Sequence, residues 1–124
     1  MQITLAIKYF SIDNLGMNIL MVTSETVPFS KSGGLADVVG ALSSALSDEG
    51  HLIKVFMPMY SFIDPKGFKK SATFSIPMLS NSEVVETVEK KLGKVVYVGL
   101  KHPYFTERKG IYGDTSFEPY ADNC

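Results

Sequence analysis

The feature that most constrains the fold is a strand, a helix and a second strand that follow one another within residues 18–57. Residues 18–23 and 52–57 are almost continuously apolar, as is typical of strands covered on both faces in a parallel sheet. Gly50 stands where a left-handed C′ residue ends a helix. Between the two strands, apolar residues recur with the spacing of one face of a helix: Leu35, Val38, Val39, Leu42, Ala45 and Leu46. The pattern predicts two parallel strands joined by a right-handed crossover helix.

The rest of the chain has weaker periodicity. Residues 24–32 contain Pro28 and are predicted to be a loop. Residues 73–76 and 94–100 are predicted strands, the latter rich in β-branched and aromatic side chains. Residues 82–92 fit both helical spacing and strand alternation, and periodicity does not decide between them. From residue 102 onward the sequence is aromatic, charged and rich in turn residues, which indicates a long loop.

Composition limits the class of protein. A chain of 124 residues with 45% hydrophobic residues is of the size of one domain and can bury a core. Its formal net charge of −1 gives no basic field for a nucleic acid, so no nucleic-acid partner is expected. The apolar runs are shorter than the roughly 20 residues that a membrane helix needs. The single cysteine, Cys124, has no partner within the chain and favours a reducing, cytoplasmic location.

Residues 1–16 differ from the rest of the chain. They have no basic n-region and no small-x-small cleavage site, so they are not expected to be a signal peptide. Met17 begins the first strand-like run by itself. We therefore expect residues 1–16 to be an extension and the domain to begin at Met17.

The sequence FSKSGGLADVVGAL, residues 29–42, places a lysine and two glycines where the helix begins. The first amides of a helix lack partners within it and carry a partial positive charge. Gly33 and Gly34 would leave these amides open to an anion, and Lys31 would add a full charge, which predicts a phosphate or pyrophosphate site. The pattern is neither GxxxxGK[ST] nor GxGxxG. The same residues also fit a simple tight turn, in which Lys31 is solvated and Asp37 only favours the helix dipole. Spacing does not decide between an anion site and such a turn.

Four segments resemble one family. SETVPFSKSGGLADVVGAL, residues 24–42, closely resembles the amino terminus of bacterial glycogen synthases and plant starch synthases, whose signature reads K-x-G-G-L-A-D-V. The resemblance continues in VFMPMY, residues 55–60, in YFTERKGIYGD, residues 104–114, and in YADN, residues 120–123. It covers residues 17–124 in family order, leaves residues 1–16 outside, and favours strands over a helix at residues 82–92.

The resemblance implies an α/β fold: an incomplete Rossmann-like amino-terminal domain of a GT-B glycosyltransferase with a mostly parallel sheet. It implies an enzyme family that transfers glucose from ADP-glucose to the non-reducing end of an α-1,4-glucan, with retention of configuration and without a metal or other cofactor. ADP-glucose and the glucan are the implied partners.

The resemblance also implies roles for individual residues. Lys31 matches the lysine that contacts the donor phosphates, and Gly33 and Gly34 match the glycine loop. Asp37 matches an acid near the donor site, and because a carboxylate repels a pyrophosphate we assign it to hydroxyl contacts or to ordering of the loop. Three residues match segments on the acceptor side of the cleft and are candidate glucan contacts: Tyr112, Asp122 and Asn123.

The length of the chain departs from the family. Family enzymes are several times longer, and the family's later histidine and the arginine, lysine and glutamate of its second domain have no match here, so no catalytic residue is assigned. Residues 17–124 are therefore expected to be a truncated part of a catalytic domain, with no glucosyl transfer by this chain alone. The alternative is a free-standing, non-catalytic α/β module that binds a phosphate or a glucan.

Overall fold

The structure, a computed structural model, describes residues 16–113, 119 and 120. These residues form five strands and two helices, in the order β1 (Asn18–Val22), α1 (Gly34–Asp48), β2 (Leu52–Pro58), β3 (Lys69–Pro77), β4 (Ser82–Leu92), β5 (Val95–Lys101) and α2 (Pro103–Thr106). The five strands make one sheet in the spatial order β1-β2-β5-β4-β3. The predicted α/β, Rossmann-like class is confirmed.

The sheet has a parallel and an antiparallel part. β1 pairs with β2 and β2 with β5 in parallel, so the predicted strand–helix–strand unit is confirmed. β4 pairs with β5 and β3 with β4 in antiparallel register. The antiparallel part follows from short connections: β4 and β5 are joined through Gly93, whose φ of +59° suits a tight hairpin turn. The predicted parallel arrangement thus holds for three strands, β1, β2 and β5.

Residues 82–92 are strand β4, which confirms the strand that the family resemblance favoured and that periodicity had left open. Their partners are remote in sequence, since Val85 lies opposite Phe74 of β3 and Val88 opposite Gly99 of β5. Val85 and Val88 are both buried. Pairing on both edges satisfies the backbone of this segment as a strand, and such long-range pairing leaves no trace in local periodicity.

Helix α1 has the predicted length but buries a different face. Gly50 follows its last turn with φ +95°, as expected for a C′ glycine. Its fully buried residues are small: Ala36, Ser43 and Ser47. The apolar residues left exposed are Leu35, Val38 and Leu42. Small side chains let the helix approach closely. Of the apolar stripe predicted from the sequence, only Val39 and Leu46 pack against the core.

The core lies between α1 and the centre of the sheet. Ile53, Val55 and Met57 of β2 are almost fully buried and pack with Tyr97 of β5. The ring of Phe29, from the loop before α1, lies 4.9 Å from the ring of Tyr97 in an edge-to-face contact. The core therefore also anchors the loop that leads into the helix.

The segment after β5 is more ordered in its first part than its sequence indicated. It begins with the short helix α2 and is not a continuous loop. His102 caps this helix, since its Nδ1 accepts a hydrogen bond from the Tyr104 amide at 3.2 Å. Neither helix of the described residues is long and apolar enough to cross a membrane.

Candidate functional site

The candidate site lies in the loop between β1 and α1, residues 23–33. The loop begins at the carboxyl end of β1, beside the end of β2, where Thr23 N–H donates to the Phe56 carbonyl at 3.0 Å. In open α/β sheets ligands bind at the carboxyl ends of the parallel strands. The fold therefore places the segment that carries Lys31, Gly33 and Gly34 where such a sheet presents a ligand site.

The loop is held by its own hydrogen bonds. The carbonyl of Thr26, a fully buried residue, accepts from the amides of Phe29 at 3.0 Å and Ser30 at 2.9 Å. The hydroxyl of Thr23 donates to the Glu25 carbonyl at 2.7 Å. These contacts satisfy polar groups that the loop buries, so its course toward the helix is well determined.

The amino terminus of α1 is uncovered. Gly33 is the N-cap residue, and no side chain caps the first amides of the helix. Gly33 is extended, with φ −155°, and a Cβ added to Gly34 would meet nothing within 4 Å. Neither a left-handed backbone nor close packing therefore demands a glycine here. What the two glycines do provide is exposed backbone at the positive end of the helix dipole.

Lys31 and Asp37 form an ion pair across this terminus. Lys31 Nζ lies 2.9 Å from Asp37 Oδ1 and 2.7 Å from Oδ2. Both side chains are about half exposed, at 53% and 56%. An exposed pair of this kind contributes only about 0–1 kcal/mol, so Lys31 is kept near the helix terminus but remains available to a stronger anion.

Glu25 is a site residue that sequence reasoning missed. It follows β1, yet its side chain is buried, with 2% of the residue exposed. Its Oε2 accepts hydrogen bonds from the amide and the hydroxyl of Ser32, the latter at 2.7 Å. The available signal was a carboxylate three residues after the end of the first parallel strand, in a loop otherwise interpreted only as a connection.

Two tyrosines that are distant in sequence meet the start of the loop at Ser24. The hydroxyl of Tyr60, just after β2, donates to the Ser24 carbonyl at 2.9 Å, and the Tyr112 hydroxyl lies 2.6 Å from Ser24 Oγ. The structure thus brings Tyr112 beside the loop that carries Lys31. Asp122 and Asn123, the other two candidate glucan contacts, lie outside the described residues.

Burial raises the pKa of the Tyr60 hydroxyl to about 12, and the neighbouring Tyr112 acts in the same direction. The unfolded chain releases this proton near pH 10, whereas the folded protein holds it to about pH 12. The hydrogen bond to Ser24 is therefore a donor contact at neutral pH.

This shift has a measurable consequence for stability. Between pH 10 and about 12 the unfolded state binds fewer protons than the folded state, so the free energy of unfolding falls as pH rises. Tyr60→Phe has no proton to lose at this position, and its unfolding free energy is expected to fall less steeply over the same range. Urea unfolding at a series of alkaline pH values tests this, and equal slopes for both proteins would contradict it.

Within residues 16–113, 119 and 120, no three histidine, cysteine, aspartate or glutamate side chains converge as a metal site would require. The two histidines make structural contacts. His51 Nδ1 accepts from the Met17 amide at 3.2 Å, and His102 Nε2 lies 3.2 Å from Glu83 Oε2.

The fold and the loop together define a Rossmann-like domain with an exposed helix terminus after its first strand. The sequence model described as "Starch synthase catalytic domain" matches residues 18–124, and the chain belongs to this family of glycosyltransferases. Glycogen synthase 1 of Geobacter sulfurreducens is 43% identical over 102 residues, which are 78% of this chain and 19% of that protein. A glycogen synthase of Treponema denticola is 41% identical over 111 residues, 86% of this chain and 22% of that protein.

The fold has a counterpart among solved structures. The catalytic domain of starch synthase IV from Arabidopsis thaliana, bound to ADP and acarbose, matches with a TM-score of 0.70 and 22% identity. The match covers 82% of this chain and 22% of that one. The chain spans about a fifth of the length of the curated relatives it matches.

Proposed function

We propose that this chain is the donor-binding, amino-terminal part of a glucan synthase. The complete enzyme would transfer glucose from ADP-glucose to the non-reducing end of an α-1,4-glucan, with retention of configuration, in the cytoplasm and without a metal. In this proposal Lys31 and the amides that follow Gly33 contact the diphosphate of the donor, and Asp37 holds Lys31 near the helix terminus. The proposal keeps Tyr112, Asp122 and Asn123 as candidate glucan contacts.

The observation that carries the proposal is the uncovered terminus of α1. Gly33 and Gly34 are exposed, and neither the backbone conformation nor the packing requires a glycine at these positions. The amides at the start of the helix are not capped by any side chain. Side chains at Gly33 and Gly34 would reduce access to these amides, so glycine is explained by close approach of a ligand. The half-exposed ammonium of Lys31 makes that ligand an anion.

Relatives support the chemical class of the anion. The family contains glycogen synthases, and the Arabidopsis starch synthase IV domain has been solved with ADP and acarbose. A diphosphate matches the positive end of a helix, and a saccharide matches a surface of hydroxyl and aromatic groups. Tyr112 offers such a surface, and its hydroxyl lies 2.6 Å from Ser24 Oγ.

The chain by itself is not expected to catalyse glucosyl transfer. Glycosyl transfer to a glucan needs charge stabilisation at the leaving diphosphate, and this loop supplies a single lysine for it. With ADP-glucose and glycogen, the rate of the wild-type chain is expected to equal that of Lys31→Ala. Turnover well above that variant would contradict the expected inactivity.

Binding tests the donor site without requiring catalysis. A ¹⁵N-labelled sample titrated with inorganic pyrophosphate, and separately with ADP, is expected to shift the amide signals of residues 31–36. Shifts that spread over unrelated surface lysines, or no shift at millimolar ligand, would contradict the assignment of the loop to the donor diphosphate. Shifts with pyrophosphate but none with ADP would instead favour a general phosphate-binding module.

A further inference from the structure

We propose that Glu25 is a positioning residue, whose buried carboxylate holds the loop so that Lys31 and the first amides of α1 face a bound anion. This inference rests on the proposed function, because it assigns the second layer of the same site. Glu25 touches neither the exposed amides nor Lys31 in any contact of the described residues, and it acts through Ser32.

Without Glu25, the end of the loop before α1 would have little to restrain it. Gly33 and Gly34 have no side chains to pack, and glycine has the largest backbone freedom of any residue. Ser32 is the last residue before α1 that can be fixed through its side chain. The amide and the hydroxyl of Ser32 both donate hydrogen bonds to Glu25, which restrains the backbone and the rotamer of Ser32.

The carboxylate of Glu25 is buried and therefore needs hydrogen-bond donors. Glu25 is only 2% exposed, and an ionised carboxylate is costly to bury unless hydrogen bonds compensate it. Both hydrogen bonds from Ser32 reach the same oxygen, Oε2. The other oxygen, Oε1, lies 3.9 Å from where a Cβ of Gly33 would be, so the carboxylate lies next to the N-cap residue of α1. Charge-assisted hydrogen bonds are about twice as strong as neutral ones, which suits this restraint.

A positioning role and a purely electrostatic role of Glu25 predict different effects of substitution. A negative carboxylate beneath an anion site repels the anion, so electrostatics alone predicts tighter anion binding whenever Glu25 is neutralised. Positioning predicts opposite results for two substitutions. Glu25→Gln keeps one acceptor oxygen, which is all that Ser32 uses, whereas Glu25→Ala removes the acceptor.

The experiment measures the full chain in two ways. Without ligand, hydrogen exchange of the Ser32 amide reports the restraint. With inorganic pyrophosphate as the probe, titration followed at residues 31–36 reports the affinity. Glu25→Ala is expected to speed Ser32 exchange and to weaken pyrophosphate binding about five- to tenfold, as the loss of one or two hydrogen bonds implies. Glu25→Gln is expected to keep slow exchange and to bind as tightly as wild type or more tightly.

Two further variants complete the design. Ser32→Ala removes one of the two hydrogen bonds and leaves the carboxylate, so an intermediate loss is expected, and it carries the test if Glu25→Ala does not fold. Thr87→Val changes a buried polar residue of β4, remote from the loop in sequence, and should leave pyrophosphate binding unchanged.

Each outcome bears on one of the two proposals. Wild-type exchange at Ser32 in Glu25→Ala, or unchanged or tighter pyrophosphate binding in that variant, would overturn the positioning role. Absence of any pyrophosphate shift at residues 31–36 in the wild type would overturn the donor site. In that case Ser32 exchange, which needs no ligand, still decides whether Glu25 holds the loop.

Discussion

Replacing Lys31 with alanine is expected to weaken the binding of inorganic pyrophosphate to the chain by roughly ten- to a hundredfold. A hydrogen bond from a charged donor contributes about 1.5–3 kcal/mol, and this range corresponds to that loss in affinity. In the free protein Lys31 pairs with Asp37, but both side chains are half exposed, so a diphosphate can compete for the ammonium. The same titration with ¹⁵N-labelled protein measures the effect.

The matched control is Lys94→Ala. Lys94 is also an exposed lysine that pairs with a single aspartate of α1, Asp48, at 3.4 Å, but at the other end of the helix. Removing it should leave pyrophosphate binding unchanged. Equal losses in the two variants would mean that pyrophosphate responds to overall charge, and the loop would lose its assignment. The wild-type affinity should also fall with added salt, since the site is exposed.

Gly40→Ala is expected to destabilise the protein by up to about 2 kcal/mol, although alanine is the better helix former. Gly40 lies in the middle of α1, where a Cβ would overlap the Cγ2 methyl of Val27 in the site loop. Overpacking of this kind typically costs about 1–3 kcal/mol, and the gain in helix propensity of about 1 kcal/mol offsets only part of it. Chemical denaturation measures the difference in the free energy of unfolding.

A double-mutant cycle gives this expectation its control. Val27→Ala removes the methyl that the new Cβ would meet. The double variant Gly40→Ala, Val27→Ala should therefore lose less unfolding free energy than the two single variants lose in sum. Gly34→Ala tests helix propensity alone, since a Cβ at Gly34 would meet nothing within 4 Å. Additive effects at positions 27 and 40 would show that the helix and the loop do not pack in this way.

The family, the strand–helix–strand unit and the ends of α1 could be predicted because each depends on residues that are close in sequence. Gly50 illustrates this, since one residue with φ +95° after the last turn is a local requirement. The signature around Lys31 is equally local. Prediction failed for the buried face of α1, because close approach between Gly40 and Val27 depends on how the loop folds back and not on the apolar period.

The surroundings of the loop could not be predicted, for a related reason. Tyr112 reaches Ser24 across 88 positions and Tyr60 across 36, and each contact exists only after the strands have paired. Glu25 is near Ser32 in sequence, but a carboxylate in a loop is normally solvated, and only the fold shows that this one is buried.

The sequence by itself determined where the helix begins, which residues are available to an anion there, and to which family the chain belongs, since these follow from local backbone chemistry and from a contiguous motif. The tertiary structure alone decided which strands residues 82–92 pair with, that α1 packs through small residues, and that Glu25 is buried next to Gly33. Burial and long-range hydrogen bonds are properties of the assembled chain, and no short stretch of sequence carries them.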